Sequence, residues 1–491
     1  MSTARPRPRL FAAVALVLAC APPGAARVCL AQATALHLGA TERATLDNGL
    51  QVVAMEYRKL PLVAVTLLVP AGSVNDPRGE EGLASLTARL LHQGTTHRSA
   101  EAVALAVESL GAELSSSAGH DAAVMSGSFL AKDIDAGLAL TAEVLLEPAL
   151  DPDEARKLRE QTLAAIRSIR EDPSALAGRC YRQWVYGDHP YGRPVDGTSE
   201  SVPRLGIDAV KRFYTEHYVA EGSVLAIVGD LPAAELVAKV RRAFAGLRRT
   251  PAIRSIAMEA PPLVAPRPVE GRPILLVDSP EAVQTHIRIG NIALARGDPD
   301  YIAAEVTGSV LGGGFTSRLI DELRVKRHLS YGAWSEFDAY RAGGDFNAGT
   351  FTKTESSLEA IDALRGVLRG FATGGLAADE VVRTKAYMVG QYPERLQTAD
   401  ALAARLAEAA FLGLPQDDLS TWMERVGRVS EDDIERLARK YVPTDAYAMV
   451  VVGRAKELRE PLAKLGTVTE VAAKNGCEGK RIGATRGVTT R

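Results

Sequence analysis

The chain has 491 residues, 58 basic against 60 acidic side chains for a net charge of −2, and four cysteines. That balance lacks the basic footprint of a nucleic-acid binder, and so few cysteines exclude a disulfide scaffold. With 46% hydrophobic and 24% charged residues it reads as globular, of two or three domains, and with no C-x-x-C pair any metal site must draw on carboxylates and eight histidines.

Residues 1–31 read as an export signal. Arg5, Arg7 and Arg9 precede an apolar run from Leu10 to Ala21, which Pro22, Pro23 and Gly24 break. The run is too short to cross a bilayer as a helix, which takes about 20 apolar residues. Signal peptidase could cut after Ala31; alternatively Val17-Leu18-Ala19-Cys20 resembles a lipobox, with Cys20 lipidated and anchoring the chain to a membrane. Both readings place the mature chain in a bacterial periplasm. Cys180 and Cys477 are read as two unrelated thiols, although an oxidising compartment would allow them to pair.

In the mature chain, Asn48-Gly49 supplies a turn before strand-like Leu50–Met55, and Val63–Val69 forms a second strand. Apolar residues spaced three and four apart predict helices from about Gly82, Ala100, Asp133 and Asp153. A proline-rich linker, 251–273, divides the chain. Beyond it the order repeats, with strands at Ile274–Val277 and Thr285–Ile289 and helices near Pro299, Ser317, Ser356 and Ala378. Both halves close alike: His217-Tyr218-Val219 leads to the apolar run Val224–Gly229, and Lys440-Tyr441-Val442 leads to Ala448–Gly453. A duplication follows, with domains at 42–250 and 274–465 and a basic, disordered tail at 466–491.

Several strings together resemble the pitrilysin/insulinase family of zinc metallopeptidases, in its two-domain bacterial and mitochondrial-processing branch. They are Ala71-Gly72-Ser73-Val74-Asn75-Asp76, Gly94-Thr95, Leu110-Gly111-Ala112, the specific His189-Pro190-Tyr191-Gly192-Arg193-Pro194, and Gly312-Gly313-Gly314 with Ser317-Arg318-Leu319. The resemblance implies an α+β fold of two homologous α/β domains, each a mainly antiparallel sheet backed by helices, forming half of a clam shell around an unfolded peptide. Active members carry H-x-x-E-H on a helix, where i, i+4 spacing lets two histidines share one ion beside a general base, and a further Glu downstream. Anchored on Gly82 and Gly94-Thr95, those positions hold Ser85, Ala88 and Arg89, and the downstream position falls at Ala165. Ser is a poor zinc ligand, Ala has no donor, and Arg89 places a permanent cation where a dication would sit. A relocated metal site using His92, His97 or His120-Asp121 is disfavoured, because no Glu lies between His92 and His97.

Leu323–Gly332 matches the family's C-terminal Arg/Tyr element. The resemblance implies that Arg324 holds a substrate carbonyl and that Tyr331 donates to the developing oxyanion at a partner's site. Without the family, the same residues read as a solvated basic helix end and a packed aromatic. Gly312, Gly313 and Gly314 read as a flexible turn by the peptide cavity, with no P-loop Lys-Ser/Thr after them, and Tyr191–Pro194 as a structural loop. The resulting expectation is a zinc-less, non-catalytic subunit of a heterodimeric metallopeptidase. It binds no cofactor itself, zinc sits in its family partner, and peptide or unfolded polypeptide enters between them. The alternative is a non-enzymatic peptide-binding or assembly scaffold; an active endopeptidase acting alone is disfavoured.

Overall fold

The computed structural model describes residues 38–249 and 263–477. The expected signal, most of the linker and the end of the tail lie outside those residues.

The first half contains β1 (Thr41–Thr45), β2 (Gln51–Glu56), β3 (Leu62–Val69), β4 (Glu113–Ala118), β5 (Ala123–Leu130) and β6 (Val224–Gly229). Its helices are α1 (Leu83–Leu90), α2 (Ala100–Ser109), α3 (Ile134–Leu146), α4 (Pro152–Glu171), α5 (Pro173–Tyr186), α6 (Ile207–His217) and α7 (Ala233–Ala243). The second half contains β7 (Pro273–Asp278), β8 (Gln284–Ala293), β9 (Ala333–Ala339), β10 (Gly344–Lys353), β11 (Ala448–Gly453) and β12 (Thr467–Ala472). Its longer helices are α8 (Tyr301–Gly312), α9 (Ser357–Ala372), α10 (Ala378–Gln391), α11 (Ala399–Phe411), α12 (Asp418–Arg428), α13 (Glu431–Tyr441) and α14 (Ala455–Ala463).

The two six-stranded sheets run β1-β2-β6-β3-β5-β4 and β12-β7-β11-β8-β10-β9, the same order with one substitution at the edge. Edge strand β1 precedes its sheet and pairs antiparallel with β2, whereas β12 returns from the C-terminal end and pairs parallel with β7. The shared central strands β6 and β11 are buried along their whole length, as continuous apolar runs covered on both faces must be. The fold is thus the α+β duplication that the repeated order predicts.

The halves exchange a helix, which the sequence does not reveal. α5 leaves the first half and packs on β11 and β8, burying Leu176, Ala177, Tyr181 and Trp184 against Leu275, Val277, Val450 and Val452. α11 makes the reciprocal move onto β3 and β6, where Leu402, Ala403, Leu406 and Ala407 cover Val53, Ala64, Val224 and Val228. Hydrogen bonds fix the exchange: Trp184 Nε1 donates to the Pro273 carbonyl at 3.1 Å and Tyr181 Oη to the Phe346 carbonyl at 3.0 Å. Helical periodicity shows that a helix has an apolar face but not which sheet receives it.

Three expectations are corrected here. Cys180 and Cys477 form a disulfide, with Cα atoms 5.4 Å apart, because β12 carries the C-terminal segment back against α5. For the same reason residues 466–477 are no disordered tail: Thr467–Ala472 completes the second sheet. The far end of the linker is docked as well. Val269 exchanges hydrogen bonds with the Asn291 side chain, and Pro273 already belongs to β7.

Candidate functional site

The strings that carry the resemblance meet around the start of α1. Asp76 accepts the backbone N–H groups of Gly82 at 2.9 Å and Ala84 at 2.8 Å, occupying two of the donors a helix N-terminus leaves open. Burial pushes its carboxyl up to about 7 despite those two hydrogen bonds. Arg193 donates to the Asp76 carbonyl at 2.8 Å, so the His-Pro-Tyr-Gly-Arg-Pro loop braces this cap. Gly82 has a φ of +97°, and a Cβ there would lie 2.9 Å from the Asp196 carbonyl oxygen, which only glycine tolerates. Tyr191, wholly buried, donates to Asp121 Oδ1 at 2.8 Å.

On α1 itself, buried Ser85 donates to Asp196 Oδ1 at 3.2 Å and Ala88 is completely buried. Arg89 crosses to α4, donating to Thr162 Oγ1 at 2.7 Å and to Gln161 Oε1 at 3.2 Å. Ala165 lies three residues, one helical turn, beyond Thr162 and is exposed. The guanidinium therefore joins α1 to α4 through neutral acceptors. These residues do not fit a zinc ion: one is engaged elsewhere, one has no donor atom and one is a fixed cation.

The remaining candidate ligands are separately engaged. His92 Nδ1 lies 2.9 Å from Ser116 Oγ, His97 pairs with Glu147 at 2.6 Å, and His120 Nδ1 lies 3.1 Å from Ser73 Oγ. Burial lowers the pKa of His92, and drives that of His120 down to about 3, so the His120 ring is neutral at pH 7. Among the described residues no group of three or more His, Cys, Asp or Glu could hold a metal.

In the second half, Arg318–Ile320 opens a short helix that continues as a π-helical turn over Asp321–Lys326, a form that recurs at functional positions. His328 then adopts φ +54°, uncommon for a residue with a Cβ, and reverses the chain. Ser330 Oγ donates to the Gly332 carbonyl at 2.7 Å and holds the turn. The result brings Arg324 and Tyr331 onto one cavity of about 420 Å³, shared with Gln284, His328 and Phe351. Tyr331 is 81% exposed, so the reading of it as a packed aromatic does not hold. Arg324 lies over the equally exposed ring of Phe315 at 5.7 Å, a residue that sequence reasoning passed over.

The three glycines divide in role. A Cβ on Gly312 would lie 2.1 Å from the Ser335 backbone nitrogen, and one on Gly313 2.5 Å from Ser309 Oγ. Both permit α8 to sit close to β9 and to its own last turn, while a Cβ on Gly314 would make only ordinary contact with the Tyr387 ring, at 3.7 Å.

Comparison with known proteins agrees with this arrangement. Residues 52–199 match the family model for insulinase (peptidase family M16), and residues 204–388 match that for the peptidase M16 inactive domain. The chain is 26% identical over 404 residues to an uncharacterized zinc protease of Streptomyces coelicolor, covering 82% of this chain and 87% of that one. It is 21% identical over 409 residues to the non-peptidase homolog YmxG of Helicobacter pylori, covering 83% and 92%. The crystal structure of a peptidase M16 inactive domain from Pseudomonas fluorescens superimposes with a TM-score of 0.79 at 27% identity, over 84% of this chain and 98% of that one. The duplicated sheets, the loop that braces α1 and these matches together assign the chain to peptidase family M16, the insulinase or pitrilysin family.

Proposed function

We propose that this chain is the zinc-less subunit of a heterodimeric M16 peptidase, exported to the periplasm. The observation that carries the reading is Arg89, seated between α1 and α4 on Thr162 and Gln161 where a catalytic subunit needs zinc ligands. A chain built this way brings no water to a useful pKa and polarises no carbonyl. The name of the Helicobacter pylori relative, a non-peptidase homolog, supports the same reading.

The second half supplies the role. Arg324 and Tyr331 stand exposed on one cavity rather than packed away, available to a substrate held against a partner. Arg324 binds a backbone carbonyl of the peptide, and Tyr331 donates its hydroxyl to the oxyanion that develops at the partner's zinc. The Cys180–Cys477 bridge supports an oxidising compartment, and lipidation at Cys20 would tether the pair to a membrane.

The test mixes the purified chain with an M16 subunit that carries an intact H-x-x-E-H helix. Hydrolysis of a quenched peptide should rise well above that of the partner alone, and Tyr331→Phe should remove at least tenfold of the gain, as loss of one oxyanion donor does. An unchanged rate with Tyr331→Phe would overturn the complementing role and leave a peptide-binding scaffold.

A further inference from the structure

The face of the second sheet that receives α5 is only half covered. Its apolar part, on β7 and β11, lies beneath the helix. Beside the helix, over β8, β10 and β9, lies a cavity of about 480 Å³. Asp345 and Asn347 alternate on β10 and stand opposite Asp338 and Glu336 on β9, with Arg288 on β8 beside them. The equivalent face of the first sheet carries Ser126 and Ser128 on β5, opposite Ser115 and Glu113 on β4. Six strands close the same way there without this concentration of charge, so the architecture does not demand it.

The groups in this cavity are short of partners. Asp345, 2% exposed, uses Oδ1 to accept the Tyr186 hydroxyl at 2.8 Å and has the Tyr181 hydroxyl close by, but its Oδ2 makes no hydrogen bond of ordinary geometry among the described residues. Asn347 Oδ1 and Gln183 Oε1 are also buried without a donor among the described residues, and both side chains line the cavity. Buried acceptors left unmade cost about 1–3 kcal/mol each. On the same wall the Arg288 guanidinium stacks on Trp334 at 5.2 Å and makes no hydrogen bond or ion pair among the described residues. Arg182, in contrast, is engaged with Asp338 at 3.8 Å.

We propose that this cavity binds a free α-amino acid, its ammonium group donating to the unpaired oxygens of Asp345 and Asn347, which turn toward it on binding, and its carboxylate accepting from Arg288. An ammonium brings three donors and a carboxylate suits the guanidinium fork, so a single small zwitterion meets both deficits. A bare dication meets only the first, and Arg288 and Arg182 beside it would oppose one. Burial pushes the Asp345 carboxyl up to about 7 and raises that of Glu336, the state expected of acidic groups awaiting a cation. The site is independent of the pairing proposed above.

Calorimetric titration of the full chain with L-alanine tests it, with N-acetyl-L-alanine and L-alaninamide as arms that each lack one charge. Saturable one-site binding of L-alanine is expected, at least tenfold weaker for both capped forms and for Arg288→Met and Asp345→Asn, as loss of a charged partner gives. No saturable heat with L-alanine up to about 20 mM, beyond the millimolar range of the weakest specific ligands, overturns the proposal. Equal binding of L-alaninamide and L-alanine also overturns it, by identifying a plain cation site. The capped ligands give this answer on the unaltered chain, whatever the two variants do to folding.

Discussion

The Arg89 guanidinium donates to the Thr162 hydroxyl at 2.7 Å and ties α1 to α4. Thr162 keeps its own bond to the Leu158 carbonyl at 2.8 Å, so it serves as acceptor for one helix and donor within the other. A side-chain clasp thus holds the two helices together. The clasp is structural, and its removal has a measurable cost.

Arg89→Met should therefore destabilise the chain by about 1–2 kcal/mol, since two hydrogen bonds from a half-buried charged donor are lost while Thr162 stays satisfied. Urea unfolding followed by circular dichroism measures this. No change in the midpoint would mean that the clasp does not hold α1 to α4.

The Cys180–Cys477 bridge closes a loop with a sequence separation of 297 and joins α5 of the first half to the segment after β12. A cross-link across so long a loop contributes about 2–5 kcal/mol. Cys477→Ala should lower the melting temperature by several degrees. Both cysteines are buried and bridged, so neither should take up a thiol reagent even in the unfolded chain until the bridge is reduced. Labelling of Cys180 and Cys477, located by peptide mapping, in the unfolded but unreduced protein would contradict the bridge.

Helix exchange couples the halves. Leu406 of α11 is 4% exposed within a core that includes β3 and β6 of the other half. Leu406→Ala should cost about 2–5 kcal/mol and shift the unfolding of both halves together. Calorimetry should show one transition for the parent chain, and two well-separated transitions would mean that the halves fold independently.

Asp345 governs part of the pH dependence. Its folded pKa of about 7 lies above the ordinary 3.8, so folding favours the protonated form. The stabilisation is fully present below about pH 4 and is lost as pH rises to 7 and slightly beyond. Asp345→Asn keeps an acceptor for Tyr186 and removes the charge. It should flatten the fall in stability between pH 5 and 8 and raise stability at pH 8. An unchanged slope would show that Asp345 is ionised throughout that range.

Much of this was legible in the residues. Val224–Gly229 and Ala448–Gly453 announce buried central strands because unbroken apolar runs ending in glycine have few other uses. The placing of Ser85, Ala88 and Arg89 together on one short helix was legible for the same local reason. What escaped was long-range. The acceptors of Arg89, Gln161 and Thr162, lie more than seventy residues away on another helix, where no local pattern points to them. β12 was missed because a six-residue edge strand with one buried side chain, Val471, carries almost no periodic signal. The cavity beside α5 joins residues from 175 to 347, and only the helix exchange brings them together.

Metal content of the purified chain tests the central claim most directly. Elemental analysis after equilibration with excess zinc and removal of unbound metal should find far less than one zinc per chain, with no hydrolysis of a quenched peptide. One tightly held zinc per chain, with peptide hydrolysis that a chelator abolishes, would contradict the account.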